Sequence, residues 1–229
     1  SVEDTYDNIQ SIVNIDNKQV TMSNSNIRVI DQVDFVKIST LATQTSFSNS
    51  ITVNNVSDNK NLLALTNANS RVILSTANIS VTDNVSKAEA DTIDGYNSTS
   101  GTVTLSTVTD TFANIKLLHE DTSISIASAA VTVTNAASLA NANTLNGYTS
   151  GQVTLNSVED TYDNLISIDG ITTSEVSMAD AAVKVTSNID KTKLDTLRGD
   201  TTGTVTVADI TEDKTDLGTI SNYGDVDLK

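Results

Sequence analysis

The sequence predicts a mainly β fold: a repeat β-solenoid in which short parallel strands stack on one another and alternate with short helical segments. Three observations lead to this prediction. An acidic phrase returns along the chain at a nearly fixed spacing, alternating triplets such as Val-Thr-Leu recur beside it, and the 229 residues include no proline and only 3% aromatic residues. A row of small β-rich modules is the alternative architecture.

The repeated phrase sets the period of the array. It reads SVEDTYDNI from Ser1 and SVEDTYDNL from Ser157, with related versions from Asn55, Thr107 and Asp209. Val or Ile marks its second position, an acid its fourth and an aliphatic residue its ninth. The period of about 50 to 54 residues predicts one continuous array over residues 1–229. The approximate units are 1–48, 49–100, 101–150, 151–202 and 203–229.

The first and last of these units lack parts of the repeat, so the chain is expected to begin and end inside a repeat. Such ends would expose unpaired strand edges and apolar faces. We therefore expect the native chain to be longer, or its ends to be covered by neighbours.

The second half of each unit aligns as well, and its apolar positions repeat in columns. One column holds Met22, Leu74, Ile126 and Met178, and others hold Val20, Val72, Ile124 and Val176; Ile27, Ile79, Val131 and Val183; and Val29, Val81, Val133 and Val185. β-Branched residues at a period of two predict strands with one buried face. Each 50-residue period is predicted to form two coils of about 25 residues, because so few large apolar side chains cannot give a single unit its own core.

A short helix is predicted after each second triplet. Stretches such as SLANANTLNGY carry apolar residues at helical spacing and lead into Gly95, Gly147 or Gly199. Glycine tolerates the left-handed conformation that ends many helices, so these positions predict helix ends after two turns at most. A second glycine, in Thr-Ser-Gly or Thr-Thr-Gly, is predicted to restart a strand.

Charge and composition limit the function classes. The chain has 29 acidic and 13 basic residues and a net charge of −16, which disfavours binding to nucleic acids and anionic membranes and favours divalent cations or basic surfaces. There is no cysteine, and no apolar run has the roughly 18 residues that a membrane-spanning helix needs. The expected partners are copies of the chain or neighbouring repeats of a longer one, with cell-surface polysaccharide as a further candidate, and neither nucleic acid nor membrane insertion.

The phrase TDTFANI at Thr109, with its relatives EDTYDNI and EDTYDNL, resembles the strand and D-T-x-x-N-I/L repeat found in arrays of very large secreted bacterial surface proteins. The resemblance extends over essentially the whole chain, which is similarly rich in Thr, Ser, Asn and Ala. The versions SDNKNLL and EDKTDL depart from the motif. The resemblance implies an extracellular, structural or adhesive role, often with calcium.

The acid column is the main candidate site. It consists of Asp4, Asp58, Asp110, Asp160 and Glu212, joined in two units by Asp7 and Asp163. Stacked carboxylates would form a ladder of oxygen ligands suited to calcium. The competing interpretation is that each Asp-Thr pair caps the following helical turn, with the carboxylate accepting backbone N–H groups. No segment matches an EF-hand or a glycine-rich calcium nonapeptide.

No catalytic residues are predicted. His119 is the one histidine and is expected in a turn between strands, and paired carboxylates on a β-helix keep a glycosidase open as an alternative. Arg198-Gly199-Asp200 spells RGD, but the glycine is explained by the turn. Tyr6, Phe112 and Tyr162 share a column that is expected to fill the coil interior or pack between coils rather than bind sugar.

The sequence thus predicts a non-enzymatic, extracellular repeat protein, the scaffold of a microbial surface layer, filament or adhesin stalk. A carbohydrate-binding or carbohydrate-active solenoid is the alternative. The distribution of acidic and aromatic residues distinguishes the scaffold from the carbohydrate-binding solenoid. A binding groove would cluster these residues, whereas a scaffold would place them in every repeat.

Overall fold

The computed structural model describes residues 1–15, 22–46, 48–171 and 176–211. Contacts between residues divide the chain into two compact units. Unit 1 is Ser1–Thr107 with Leu118–Ile126, and unit 2 is Val108–Leu117 with Ala127–Lys229. Val20 and Glu212, two of the residues singled out above, lie outside the described residues.

Along the described part of the chain, one strand or two successive strands precede each helix. The strands are β1 Val2–Asp4, β2 Ile27–Val33, β3 Ile51–Asp58, β4 Val72–Ile73, β5 Asn78–Val85, β6 Val103–Asp110, β7 Ile124–Ser125, β8 Ala130–Val133, β9 Val153–Leu155, β10 Ser157–Asp160, β11 Val176–Ser177, β12 Ala182–Val185 and β13 Val205–Val207. The helices are α1 Tyr6–Val13, α2 Phe35–Ala42, α3 Lys60–Ala68, α4 Lys87–Asp94, α5 Phe112–Glu120, α6 Leu139–Tyr148, α7 Tyr162–Asp169 and α8 Lys191–Asp200.

The strands pair in parallel. Ten of them belong to one mostly parallel sheet, and β10, β12 and β13 form a second sheet. In unit 1, Val2 pairs with Ile27, which pairs with Ile51. In unit 2, Val158 pairs with Val183, which pairs with Val205. Parallel neighbours need a crossover, and a helix lies along the chain between the two strands of each pair, as α1 does between β1 and β2; the pairing repeats about every 25 residues.

The apolar columns predicted from the sequence form the core of each unit. The column of both methionines is buried, with Met22 5%, Leu74 2%, Ile126 2% and Met178 2% exposed. The columns headed by Ile27 and Val29 are at most 1% exposed throughout the repeats. The ninth position of the acidic phrase is fully buried in the four repeats described, as Ile9, Leu63, Ile115 and Leu165. Strand and helix therefore bury their apolar faces against each other.

The prediction of a mainly β fold requires correction, because the chain is mixed α/β. Eight helices of 8 to 10 residues are described, longer than the two-turn segments expected. The reason lies in the helix starts: Ser, Thr, Asp or Asn stands just before the first helical residue, where its side chain can accept a first-turn N–H. Asp34 accepts from Lys37 N, and Asn59 from Leu62 N, at 2.8 and 3.0 Å. No helix among the described residues is long and apolar enough to cross a membrane.

The first glycine of each turn does not end a helix in the left-handed conformation. Gly147 and Gly199 lie inside α6 and α8, and Gly95 has a right-handed φ of −59° and leads into the 3₁₀ turn Gly95–Asn97. The second glycine, which precedes the next strand, is the constrained one. A Cβ on Gly151 would lie 2.3 Å from the carbonyl oxygen of Ala129 in the preceding segment. The backbone of successive segments approaches too closely there for any side chain.

Substitution of the two kinds of glycine should have opposite effects on stability. Gly151→Ala should lower the free energy of unfolding by about 2 to 3 kcal/mol, because its Cβ collides with a main-chain oxygen. Gly147→Ala should raise it by about 0.5 kcal/mol, because a Cβ there has no neighbour within 4 Å and alanine favours the helix. Urea denaturation of both variants measures the difference, and equal effects would contradict the close approach.

Candidate functional site

The four described acids of the predicted column lie at the same place in the fold. Asp4, Asp58, Asp110 and Asp160 are the last residues of β1, β3, β6 and β10, and the next residue in each case is the one just before a helix. The fifth member, Glu212, lies outside the described residues. Each described acid is therefore positioned by a buried strand at the start of a helix.

One carboxylate oxygen of each acid is used within its own segment. Oδ1 accepts the N–H of the following residue at 2.7 to 2.9 Å in all four repeats. In three of them it also accepts the side-chain amide of the Asn four residues on, at 2.7 to 2.8 Å; the pairs are Asp4 with Asn8, Asp110 with Asn114, and Asp160 with Asn164. This second bond explains why the motif reads D-T-x-x-N.

The other carboxylate oxygen can reach a different segment. Asp58 Oδ2 accepts the N–H of Phe35, the first residue of α2, at 2.9 Å. Asp160 Oδ2 accepts the N–H of Leu139, the first residue of α6, also at 2.9 Å. A first-turn N–H has no partner inside its own helix, so a side chain from the next strand supplies the missing acceptor. One carboxylate thus joins two consecutive strand–helix segments.

A second column, which sequence reasoning missed, performs the same task in the alternate segments. The acceptors are Asp31 for Tyr6 N, Asp83 for Lys60 N, Asn135 for Phe112 N and Ser187 for Tyr162 N, at 2.8 to 3.0 Å. These four residues occupy one position in the aligned second halves of the repeats. Asp, Asp, Asn and Ser differ in charge, but each offers the side-chain oxygen of a helix-capping residue. A column that holds only capping residues was therefore the signal in the sequence that could have revealed this second set of acceptors.

The pKa values of two column members are lowered by these contacts. The hydrogen bond from the Asn8 amide, followed by that from the Thr5 N–H, lowers the pKa of Asp4. For Asp160, burial acts to raise the pKa, but the bonds from Asn164, Leu139 and Thr161 together outweigh it and lower the pKa. Both carboxylates are therefore held in the charged form, which also suits the positive end of a helix dipole.

The hydrogen bonds of the acid column bear on whether it could bind calcium. The described acids use their oxygens as acceptors for N–H groups at helix starts. Among the described residues, no group of three or more His, Cys, Asp and Glu side chains is placed to hold a metal ion. The calcium ladder, with its fifth member outside the described residues, stays a prediction.

The column of aromatic residues lies at the helix starts. Tyr6, Phe112 and Tyr162 are the first residues of α1, α5 and α7, and each is half-buried rather than enclosed. Lys37 Nζ lies 5.4 Å from the centre of the Tyr6 ring, and Lys193 Nζ lies 5.0 Å from that of Tyr162. Each lysine belongs to the next helix along the chain, so these rings contact the neighbouring segment through a cation–π interaction.

His119 and the RGD tripeptide lie in helices rather than in turns. His119 is exposed in the last turn of α5 instead of between strands. The Arg198-Gly199-Asp200 tripeptide lies at the end of α8, and Asp200 is half-buried. Burial and the neighbouring charge of Asp169 raise the pKa of Asp200, and its Oδ2 accepts no hydrogen bond from the described residues.

Comparison with protein-family models, curated proteins and solved structures finds no match for this chain.

Removal of an acid that joins two segments should cost more stability than removal of an exposed acid in the helix that follows it. Asp160→Ala should lower the free energy of unfolding by about 1 to 3 kcal/mol, because the N–H groups of Leu139 and Thr161 lose their acceptor. Asp160→Asn keeps an acceptor and should cost less. Asp163→Ala, in the first turn of α7, should cost about 0.3 to 0.5 kcal/mol. Equal losses for the two alanine variants, measured by urea denaturation, would contradict a joining role.

The two perturbed carboxyls of unit 2 should give opposite dependences of stability on pH. Asp160 has a lowered pKa when folded, so its contribution is present above the unfolded pKa of about 3.9 and is lost as the pH falls through the folded value. Asp200 has a raised pKa when folded, so its contribution is present below the unfolded value and is lost as the pH rises. Asp200→Asn should therefore stabilise the protein at pH 7 and lose this advantage near pH 3. Denaturation midpoints at both values test this, and a destabilised Asp200→Asn variant at pH 7 would refute it.

Proposed function

We propose that the chain is a non-enzymatic structural repeat protein: an open solenoid of strand–helix segments that acts as an extended scaffold on an extracellular microbial surface. The observation that carries the proposal is the recurring bond between consecutive segments. In six of the eight described helices, the first N–H is accepted by a side chain that lies 21 to 25 residues further along the chain. A contact that repeats with the array serves assembly of the array.

The use of the acids supports a scaffold over a catalytic or sugar-binding site. Catalysis needs unlike residues held at one place, and the column distributes one like residue to each repeat. The aromatic column is distributed in the same way, and a lysine lies over two of its rings. The side chains of the acid column and the aromatic column thus form contacts between one segment and the next.

The exposed side chains of the strands support a hydrated surface. Polar residues pair across neighbouring strands: the half-buried Thr132 pairs with Thr154, and the exposed Lys184 Nζ lies 2.7 Å from Glu159 Oε1. Exposed ion pairs of this kind contribute little to stability but keep a surface soluble. With a net charge of −16, such a surface suits a protein that resists nonspecific adhesion and binds other copies of its own chain through specific contacts. The resemblance of the D-T-x-x-N motif to secreted arrays supports the extracellular location.

Mechanical unfolding of single molecules tests the scaffold. When the whole chain is pulled from its two ends, an open solenoid should lengthen in small steps, each releasing one or two segments of about 25 residues, or roughly 85 Å per segment. Asp160→Ala should lower the force of one step and leave the others unchanged, and Asp163→Ala should change none. Two large all-or-none events would instead indicate independent modules and refute the proposal.

A further inference from the structure

The hydrogen bonds that join consecutive segments do not identify which segments they join. The first N–H groups of α1, α3 and α7 are accepted by Asp31, Asp83 and Ser187, all at 2.8 to 3.0 Å. A segment that paired one repeat of about 50 to 54 residues out of place would keep equivalent contacts. Misassembly and exchange of segments between chains are typical errors of repeat proteins, so correct pairing requires a contact that differs between repeats.

A contact of this kind lies at the helix starts. In α1 and α7 the first residue is a tyrosine, and the third residue of the next helix along the chain is a lysine. Lys37 Nζ in α2 lies 5.4 Å from the centre of the Tyr6 ring, and Lys193 Nζ in α8 lies 5.0 Å from that of Tyr162. Both pairs are cation–π contacts between a helix and the helix that follows it.

The same two positions hold a different pair in α3 and α4. Lys60 is the first residue of α3, and its Nζ lies 2.8 Å from Oε1 of Glu89, the third residue of α4. Lys60 Nζ also donates to the carbonyl of Asn84 at 3.0 Å. Glu89 is held by its own helix, because its Oε2 accepts the N–H of Ser86 at 2.9 Å in a capping box. The bond between the two side chains raises the pKa of Lys60 and lowers that of Glu89, so both stay charged.

The two kinds of pair exclude each other. If α2 or α8 took the place of α4 after α3, Lys60 would face Lys37 or Lys193, and the like charges would repel. If α4 followed α1 or α7, the Glu89 carboxylate would face a tyrosine ring, whose face is negative. Each pair therefore favours its own partner and disfavours the other kind, which is how an interface discriminates between similar partners.

We propose that the Lys60–Glu89 pair is a specificity-determining contact that selects α4 as the helix following α3. The partner that fits the start of α3 is a strand–helix segment of this repeat type with an acid at the third helical position. The tyrosine–lysine pairs reject a segment of that kind for the same electrostatic reason. This inference rests on the array of similar segments in the proposed function, because only similar segments can be paired wrongly.

A double-mutant cycle in the whole chain tests the contact. Glu89→Lys should raise the equilibrium constant of unfolding about tenfold, because Lys60 then faces a lysine and the capping box is lost. Lys60→Tyr should raise it about threefold, because the ring faces Glu89. The double variant has the tyrosine–lysine pair of α1 and α2, so its unfolding constant should be about tenfold lower than the product of the two single effects. The lost capping box cancels in this comparison.

Two further measurements separate selectivity from ordinary stabilisation. The coupling should shrink between about 50 mM and about 1 M NaCl, because the charges are partly exposed. Asp91→Lys reverses an exposed charge on the same helix, where Asp91 pairs with Lys87. Its effect should add to that of Lys60→Tyr without coupling.

Refolding tests the consequence for assembly. The double variant recovers a stable contact but makes the α3–α4 pair the same kind as the α1–α2 and α7–α8 pairs. Diluted from urea at micromolar concentration, it should therefore give less native monomer and more dimer and larger species in size-exclusion chromatography than the unchanged chain.

Additive effects in the Lys60–Glu89 cycle would overturn the contact. An unchanged yield of monomer from the double variant would overturn its role in pairing. Neither result changes the mechanical test of the scaffold. If the chain unfolded in two large events in that test and the cycle still showed coupling, the scaffold would be refuted and the contact would stand.

Discussion

The hydrogen bond from a helix start to a side chain of the following segment is the contact on which the described structure depends. Helices of 8 to 10 residues are too short to be stable alone in water, and their first N–H groups lack partners. Most of the described helices have one cap from the residue just before them, such as Asp34, and six receive a second acceptor from the next segment, such as Asp58. Formation of each such helix therefore depends on its contact with the next segment, and the two should form together.

Packing adds a second constraint that operates after the C-terminal ends of α4, α6 and α8. The glycine before a strand lies so close to the carbonyl of an alanine in the preceding segment that a Cβ would be 2.1 to 2.3 Å from that oxygen at Gly101, Gly151 and Gly203. The aliphatic columns fill the remaining space with side chains that are almost fully buried. The spacing between segments is thus set by main-chain contact, which explains why a low content of large apolar residues suffices for a core.

These two constraints also explain how so acidic a chain can place its carboxylates in a column. Each described acid of the column has N–H donors on its oxygens, and the positive end of a helix lies beside it, so local interactions offset the repulsion between like charges. The regular acids therefore belong to the architecture of the repeat.

The sequence by itself determined the period, the strand positions and the buried columns, because a repeated pattern of apolar residues at a spacing of two requires one face to be inside. It did not determine the balance of helix and strand, because short helices depend on caps from another segment. Nor could it assign the second capping column, where Asp31, Asp83, Asn135 and Ser187 look unrelated until the tertiary structure gives each the same N–H group to accept. The roles of the glycines were likewise decided by the tertiary structure, since a close approach between two segments has no local signature in the chain.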